Sequence, residues 1–332
     1  MKLYAVLVIA VALLLSSCGA PSVETTETSV ARQPADTSPE ITETTAGEKD
    51  PIAPVEQESS IMLKRDIFVL MMAYPGHVAG AERADNQVWL VMNSGQRILY
   101  DDMKEKPDDE KLVDADLQDM LETRYPLDEL NTLMDPGMDP GRARAYPLFD
   151  EIYGHSQDTI SKKLVPVDFG KEYMRFNREA GAAAALASVA AGAAELIIVQ
   201  PNIADFLYPT SGTFNDRVIA GTNRLSPHAY GIAIDLKSSA DGYWCWAEPD
   251  AGEELIRHYP ADLVRLFEKH GFIWGGKWHH FDIFHFEYRP ELILKATYFS
   301  TKIDPARPWH DGVDTDNETI RKVIKQIDKS LG

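Results

Sequence analysis

Apolar positions along this chain fall into blocks of different period. Residues 4–15 are almost wholly apolar and follow the basic start Met1-Lys2. The run is short for a membrane span and has the shape of a secretory signal. Residues 19–60 are rich in Thr, Glu, Pro, Ser and Ala, with almost no large aliphatic or aromatic side chain. Such a segment buries too little apolar surface to offset its ordering entropy, so a flexible tether is expected.

Folded periodicity begins after residue 60. Residues 87–92 and 97–100 are β-rich and flank Asn93-Ser94-Gly95-Gln96, which predicts a hairpin. Residues 110–123 carry Leu112, Val113, Leu117, Met120 and Leu121 at helical spacing. Residues 134–141 repeat an Asp-Pro-Gly turn signal and read as a connection. Residues 177–198 are alanine-rich and predict a long packed helix. Residues 231–236 alternate, with Ile232, Ile234 and Leu236 on one face and Ala233 and Asp235 on the other. A helix over 261–270 ends at Gly271. Residues 281–288 predict a strand with His285 and Glu287 on one face. The tail, 317–331, places Ile320, Val323, Ile324, Ile327 and Leu331 at helical spacing and is expected to pack on the domain. These mixed periods indicate an α+β chain. Its expected parts are a signal (1–18), a tether (19–60), a small α/β subdomain (61–146), a main domain (147–300) and an extension with a helix (301–332).

Charge narrows the partners. The chain has 52 acidic and 33 basic side chains, a net charge of -19, which argues against nucleic acid and reads as solubility. Only Cys245 follows Cys18, so no intrachain disulfide framework is expected. His77 and His155 lack companions at ligand spacing and read as surface or packing residues.

The chemistry concentrates in two motifs, Ser226-Pro227-His228-Ala229-Tyr230-Gly231-Ile232-Ala233-Ile234-Asp235 and Asp282-Ile283-Phe284-His285-Phe286-Glu287. Two imidazoles and a carboxylate form the donor set of a catalytic zinc site that keeps a position open for water. Asp282, three residues before His285, is placed to take a proton from that water. Strand alternation would point Asp282 and His285 apart. Asp282 is therefore expected in the turn before the strand, bent back over the metal.

Ser226-x-His228-x-x-Gly231-x-Ala233-x-Asp235, a Gly-Gly-x-Trp segment and Asp-x-x-His-Phe-Glu together resemble the D-Ala-D-Ala carboxypeptidase family of zinc peptidases, which includes L-alanyl-D-glutamate endopeptidases. The resemblance implies a core shared with lysostaphin-type peptidases and the hedgehog signalling domain, a central antiparallel sheet flanked by helices. It implies His228, Asp235 and His285 as zinc ligands and a peptidoglycan stem peptide as substrate. Trp278-His279 imitates the Glu-x-x-His ending of the carboxypeptidases, but Gly276 would then hold the base position, so Asp282 is the expected base. His279 and His280 are read as supporting or surface residues. An arginine upstream of the first ligand serves the oxyanion in this family; Arg217 is the nearest match and Arg224 the alternative. Ser226 is expected to hydrogen-bond a group at the site. Tyr230, Tyr243, Trp244 and Trp246 are candidates for a cleft wall, though each taken singly reads first as core.

Leu15-Ser16-Ser17-Cys18 resembles a bacterial lipobox, which implies a lipid anchor on Cys18 and a place in the cell envelope. Gly19 lacks the charge of an inner-membrane retention signal. Two rival readings stand beside the hydrolase: a metal-bearing peptidoglycan-binding lipoprotein without catalysis, and a structural lipoprotein whose histidines merely pack.

Overall fold

Eight strands form three antiparallel sheets among the described residues; the computed structural model describes residues 54–219 and 222–332. β1 (Val78–Ala84), β2 (Gln87–Met92) and β3 (Arg97–Leu99) make the first. β4 (Leu164–Phe169) and β5 (Glu172–Asn177) make the second. β6 (Ala233–Asp235), β7 (Phe272–Trp274) and β8 (His285–Tyr288) make the third, in the order β6-β8-β7. Helices surround them, and the fold class is α+β.

The expected hairpin is present, with Trp89 opposite Leu99 and Val91 opposite Arg97. Residues 110–123 form two helices instead of one, Asp108–Asp114 and Leu117–Glu122. Asp116 divides them, because its side chain accepts the Asp119 N–H while the Asp119 side chain accepts the Asp116 N–H. A carboxylate gains more from capping orphan donors than from a helix interior. The alanine-rich helix is confined to Ala182–Val199, since Asn177 closes β5 and Gly181 takes a positive φ of 80°. It buries Leu186, Val189 and Ala193 on one face and leaves Ile198 82% exposed, so it is packed on one side only. The strand expected over 281–288 is shortened to β8, and residues 281–284 form a bridge and turn.

Helix Pro54–Ala73 buries Ile67, Phe68, Val69 and Leu70 in succession. A helix is apolar all round where it is enclosed. Helices Pro290–Tyr298 and Glu318–Leu331 pack along it, and Phe68 meets Tyr298, Phe299 and Trp309 edge-on. The helix begins inside the segment expected as tether. Residues 1–53, which include Cys18 and the rest of that tether, lie outside the described residues. The tail helix Glu318–Leu331 buries Ile320, Ile324, Ile327 and Leu331, and Asn317 caps it.

Residues 54–332 cluster as one compact unit. Residues 61–146, read from sequence as a subdomain, are tied into the remainder by buried polar contacts. Lys295 Nζ lies 2.5 Å from Asp66, and the Tyr125 hydroxyl donates to Glu268 at 2.6 Å. The connection 134–141 braces the third sheet. Pro140 O accepts from Trp278 Nε1 at 2.7 Å, and Gly141 O accepts from Arg289 Nη1 at 2.6 Å.

Candidate metal centre and cleft

The third sheet brings the candidate ligands together. Asp235 ends β6 directly opposite His285, the first residue of β8. Cross-strand partners project from the same face of a sheet, so these two side chains must meet. His285 Nδ1 lies 2.9 Å from Asp235 Oδ1. His228 comes from the one-turn helix Pro227–Tyr230 that feeds β6. Ser226 caps that turn by accepting the His228 N–H at 3.3 Å, and Gly231 ends it at φ 69°. Its positive φ favours glycine, and a Cβ there would stand 2.4 Å from Leu164 Cδ2. His228 Nε2 then lies 3.2 Å from both His285 Nδ1 and Asp235 Oδ1.

Each imidazole is also held from behind. His228 Nδ1 lies 2.6 Å from Thr213 O, and the Thr213 hydroxyl donates to Arg175 O at 3.0 Å. His285 Nε2 faces Glu287 Oε2 at 3.6 Å. Such outer partners fix a ligand's tautomer and leave its other nitrogen free to bind. Glu287 is fully buried and bidentate with Arg144, whose Nε donates at 2.9 Å; Arg289 Nη1 is 3.4 Å away. Burial opposes the Glu287 charge, but Arg144 outweighs it and holds the carboxyl well below the usual range. Burial likewise opposes charge on Asp235, and the two imidazoles reverse the balance, so it stays ionised. For His285, burial disfavours protonation, yet Asp235 and Glu287 raise its pKa to about 10. The three ligand atoms thus form a pre-assembled donor set in which a bound cation would take the place of the His285 proton.

Asp282 stands where the parity argument put it, in the turn before β8. Its carbonyl accepts the His285 N–H at 3.1 Å, and its own N–H donates to Gly275 O at 3.0 Å. A Cβ at Gly275 would lie 2.4 Å from Asp282 O, so the first glycine of Gly-Gly-x-Trp is what lets this turn close on β7. Burial, followed by the Asp235 charge, pushes the Asp282 carboxyl up to about 6; His285, His228 and Arg217 act the other way.

Residues 220–288 match the family model described as D-alanyl-D-alanine carboxypeptidase. The match covers 69 of the 332 residues. It contains His228, Asp235, Asp282 and His285, all four. No curated protein and no solved structure matches the chain.

The matched segment opens on a cleft of about 160 Å³. Arg217 and Arg224 both line it, as do Tyr243, Trp244 and His280. Trp244 stacks edge-on with His280, whose Nδ1 lies 2.5 Å from Asp139 Oδ2; His279 Nδ1 contacts Met134 O at 3.1 Å. Neither histidine joins the ligand triangle. Of the other aromatic candidates, Tyr230 is core, with its hydroxyl donating to Asp150 at 2.6 Å, and Trp246 is 55% exposed beside Tyr243. His77 pairs with Glu179 and His155 is a surface residue.

Arg142 and Arg144 also line the cleft, from outside the matched segment. Sequence reading passed over them; the available signal was an Arg-x-Arg directly after the repeated turn in a strongly acidic chain. In a second carboxylate group, Asp101, Asp102 and Asp116, two members already pair with an ammonium. Lys106 Nζ lies 3.1 Å from Asp102, 3.4 Å from Asp116 and 2.7 Å from Asp119.

Proposed function

We propose that this chain is a zinc peptidase that hydrolyses peptidoglycan stem peptides at the cell envelope. The observation that carries the reading is the triangle of His228 Nε2, Asp235 Oδ1 and His285 Nδ1, with edges of 2.9, 3.2 and 3.2 Å. Zinc bonds of about 2.0–2.1 Å in a tetrahedral array separate ligand atoms by about 3.3 Å, so the donor set fits that ion with slight expansion. Bound there, zinc would supply polarisation of a carbonyl and a water acidic enough to attack it.

The chain's own groups perform the rest. Asp282 takes the proton of the attacking water and returns it to the leaving nitrogen. Burial, the largest cause of its raised pKa, persists with zinc bound and favours return of the proton to the leaving group. Arg217, whose charge already acts on Asp282, provides a cation for the carbonyl oxygen as negative charge builds on it. Thr213 and Glu287 hold the imidazole planes, and Arg144 keeps Glu287 ionised.

The family match supports the peptide class of substrate, and its description favours the D-Ala-D-Ala bond over L-Ala-D-Glu, toward which the aspartate base leans. We read the β6-β8-β7 sheet and its helices as the core shared with lysostaphin-type and hedgehog domains. Cys18 is the proposed lipid anchor, with residues 19–53 as the reach from the membrane. Mass spectrometry of defined muropeptides after incubation with zinc-loaded protein tests the activity. Loss of a terminal D-Ala or cleavage after L-Ala supports it. Intact peptides at full zinc occupancy would leave a binding lipoprotein instead.

A further inference from the structure

Four guanidinium groups, Arg142, Arg144, Arg217 and Arg224, line one cleft in a chain of net charge -19. Two are paired: Arg144 is bidentate with Glu287, and Arg142 Nη1 donates to Asp139 Oδ2 at 3.0 Å. The Arg217 charge lowers the Asp282 pKa. Arg224 has no ion pair among the described residues, and its Nε is buried without a hydrogen-bond partner. Burial lowers its pKa, and although Tyr146 offsets this, Arg144 and Arg142 repel it further. A half-buried guanidinium with an unsatisfied Nε beside two like charges is costly. The arrangement makes sense where an anion arrives from outside, and a planar guanidinium fork matches a carboxylate best.

We propose that Arg224, with Arg142 beside it, forms a carboxylate-binding subsite that selects peptides carrying a free carboxylate near the scissile bond. The identity of the ligand as a peptide rests on the peptidase reading. The subsite also separates the two arginines that the motifs left as alternatives. Arg217 acts toward the base and the reacting carbonyl, and Arg224 toward the wall built by residues 142–144. It gives the region before residue 147 a part in substrate selection. The carboxylate has two available sources, a peptide C-terminus or the α-carboxylate of an internal γ-linked glutamate.

The test is binding, measured by calorimetry on zinc-loaded Asp282→Asn protein. One pair of probes is an N-acetylated Lys-D-Ala-D-Ala peptide as free acid and as C-terminal amide. The other is a C-terminally amidated L-Ala-D-γGlu-Lys peptide and its D-isoglutamine counterpart. The charged member of one pair binds about ten- to a hundredfold more tightly than the neutral member. Which pair shows the ratio identifies the source. Arg224→Gln in the same background abolishes the ratio without weakening the neutral peptide, and Arg224→Lys restores part of it. Should Arg224→Gln fail to fold, Arg142→Gln carries the same readout with a smaller loss. Equal affinities in both pairs, a ratio that survives these substitutions, or no binding by any probe overturns the subsite. Hydrolysis by the unsubstituted protein is scored separately. Turnover without charge preference refutes the subsite alone, and charge-dependent binding without turnover refutes the peptidase reading alone.

Discussion

Replacing the proposed base should make the metal-free protein more stable. The Asp282 carboxyl is raised from 3.8 to about 6, first by burial and then by the Asp235 charge. The folded chain therefore keeps a proton that the unfolded chain has released over that interval. The contribution is complete below the unfolded pKa and is lost as pH rises through about 6. At about 1.36 kcal/mol per pKa unit the loss at pH 7.5 approaches 3 kcal/mol, and partial solvent access reduces it to about 1–3 kcal/mol. Asparagine cannot ionise and escapes this penalty. Urea unfolding of chelator-treated Asp282→Asn at pH 7.5 should show a gain of about 1–3 kcal/mol, roughly halved at pH 5. Zinc, by offsetting the Asp235 charge, should shrink the difference further, while turnover falls away. A variant no more stable than the parent at pH 7.5, or a gain independent of pH, would refute the electrostatic reasoning.

Other substitutions separate the roles of neighbouring residues. Glu287→Gln weakens the brace on His285, and chelator competition should find zinc affinity about 10–100-fold lower. Gly275→Ala forces a Cβ against Asp282 O, so kcat should fall while metal analysis still finds stoichiometric zinc. Ile324→Ala empties a buried site on the tail helix, costing about 2–5 kcal/mol in urea unfolding with no change in zinc affinity.

The candidate site was largely legible because its geometry is local. Ser226, Pro227 and Gly231 encode the turn that presents His228, and strand parity alone sent Asp282 into the turn before β8. The long-range contacts were not legible. Arg144 and Glu287 are 143 residues apart in the chain, and no period or turn signal joins them. The helix Pro54–Ala73 opens with Glu58, Ser59 and Ser60 exposed, so its first turns have the composition of a tether; burial of its later residues against the C-terminal helices holds it. Asp116 divides a sequence of continuous helical period because capping wins locally. Each difference arises where tertiary contact or a side-chain hydrogen bond overrides composition.

Zinc-edge X-ray absorption of stoichiometrically loaded protein tests the centre most directly. The expected spectrum is one zinc with two imidazole nitrogens and carboxylate oxygen at about 2.0–2.2 Å, and that signal is lost in His228→Ala, Asp235→Ala and His285→Ala alike. A protein that binds no zinc, or an ion whose coordination is unchanged by those substitutions, would contradict it.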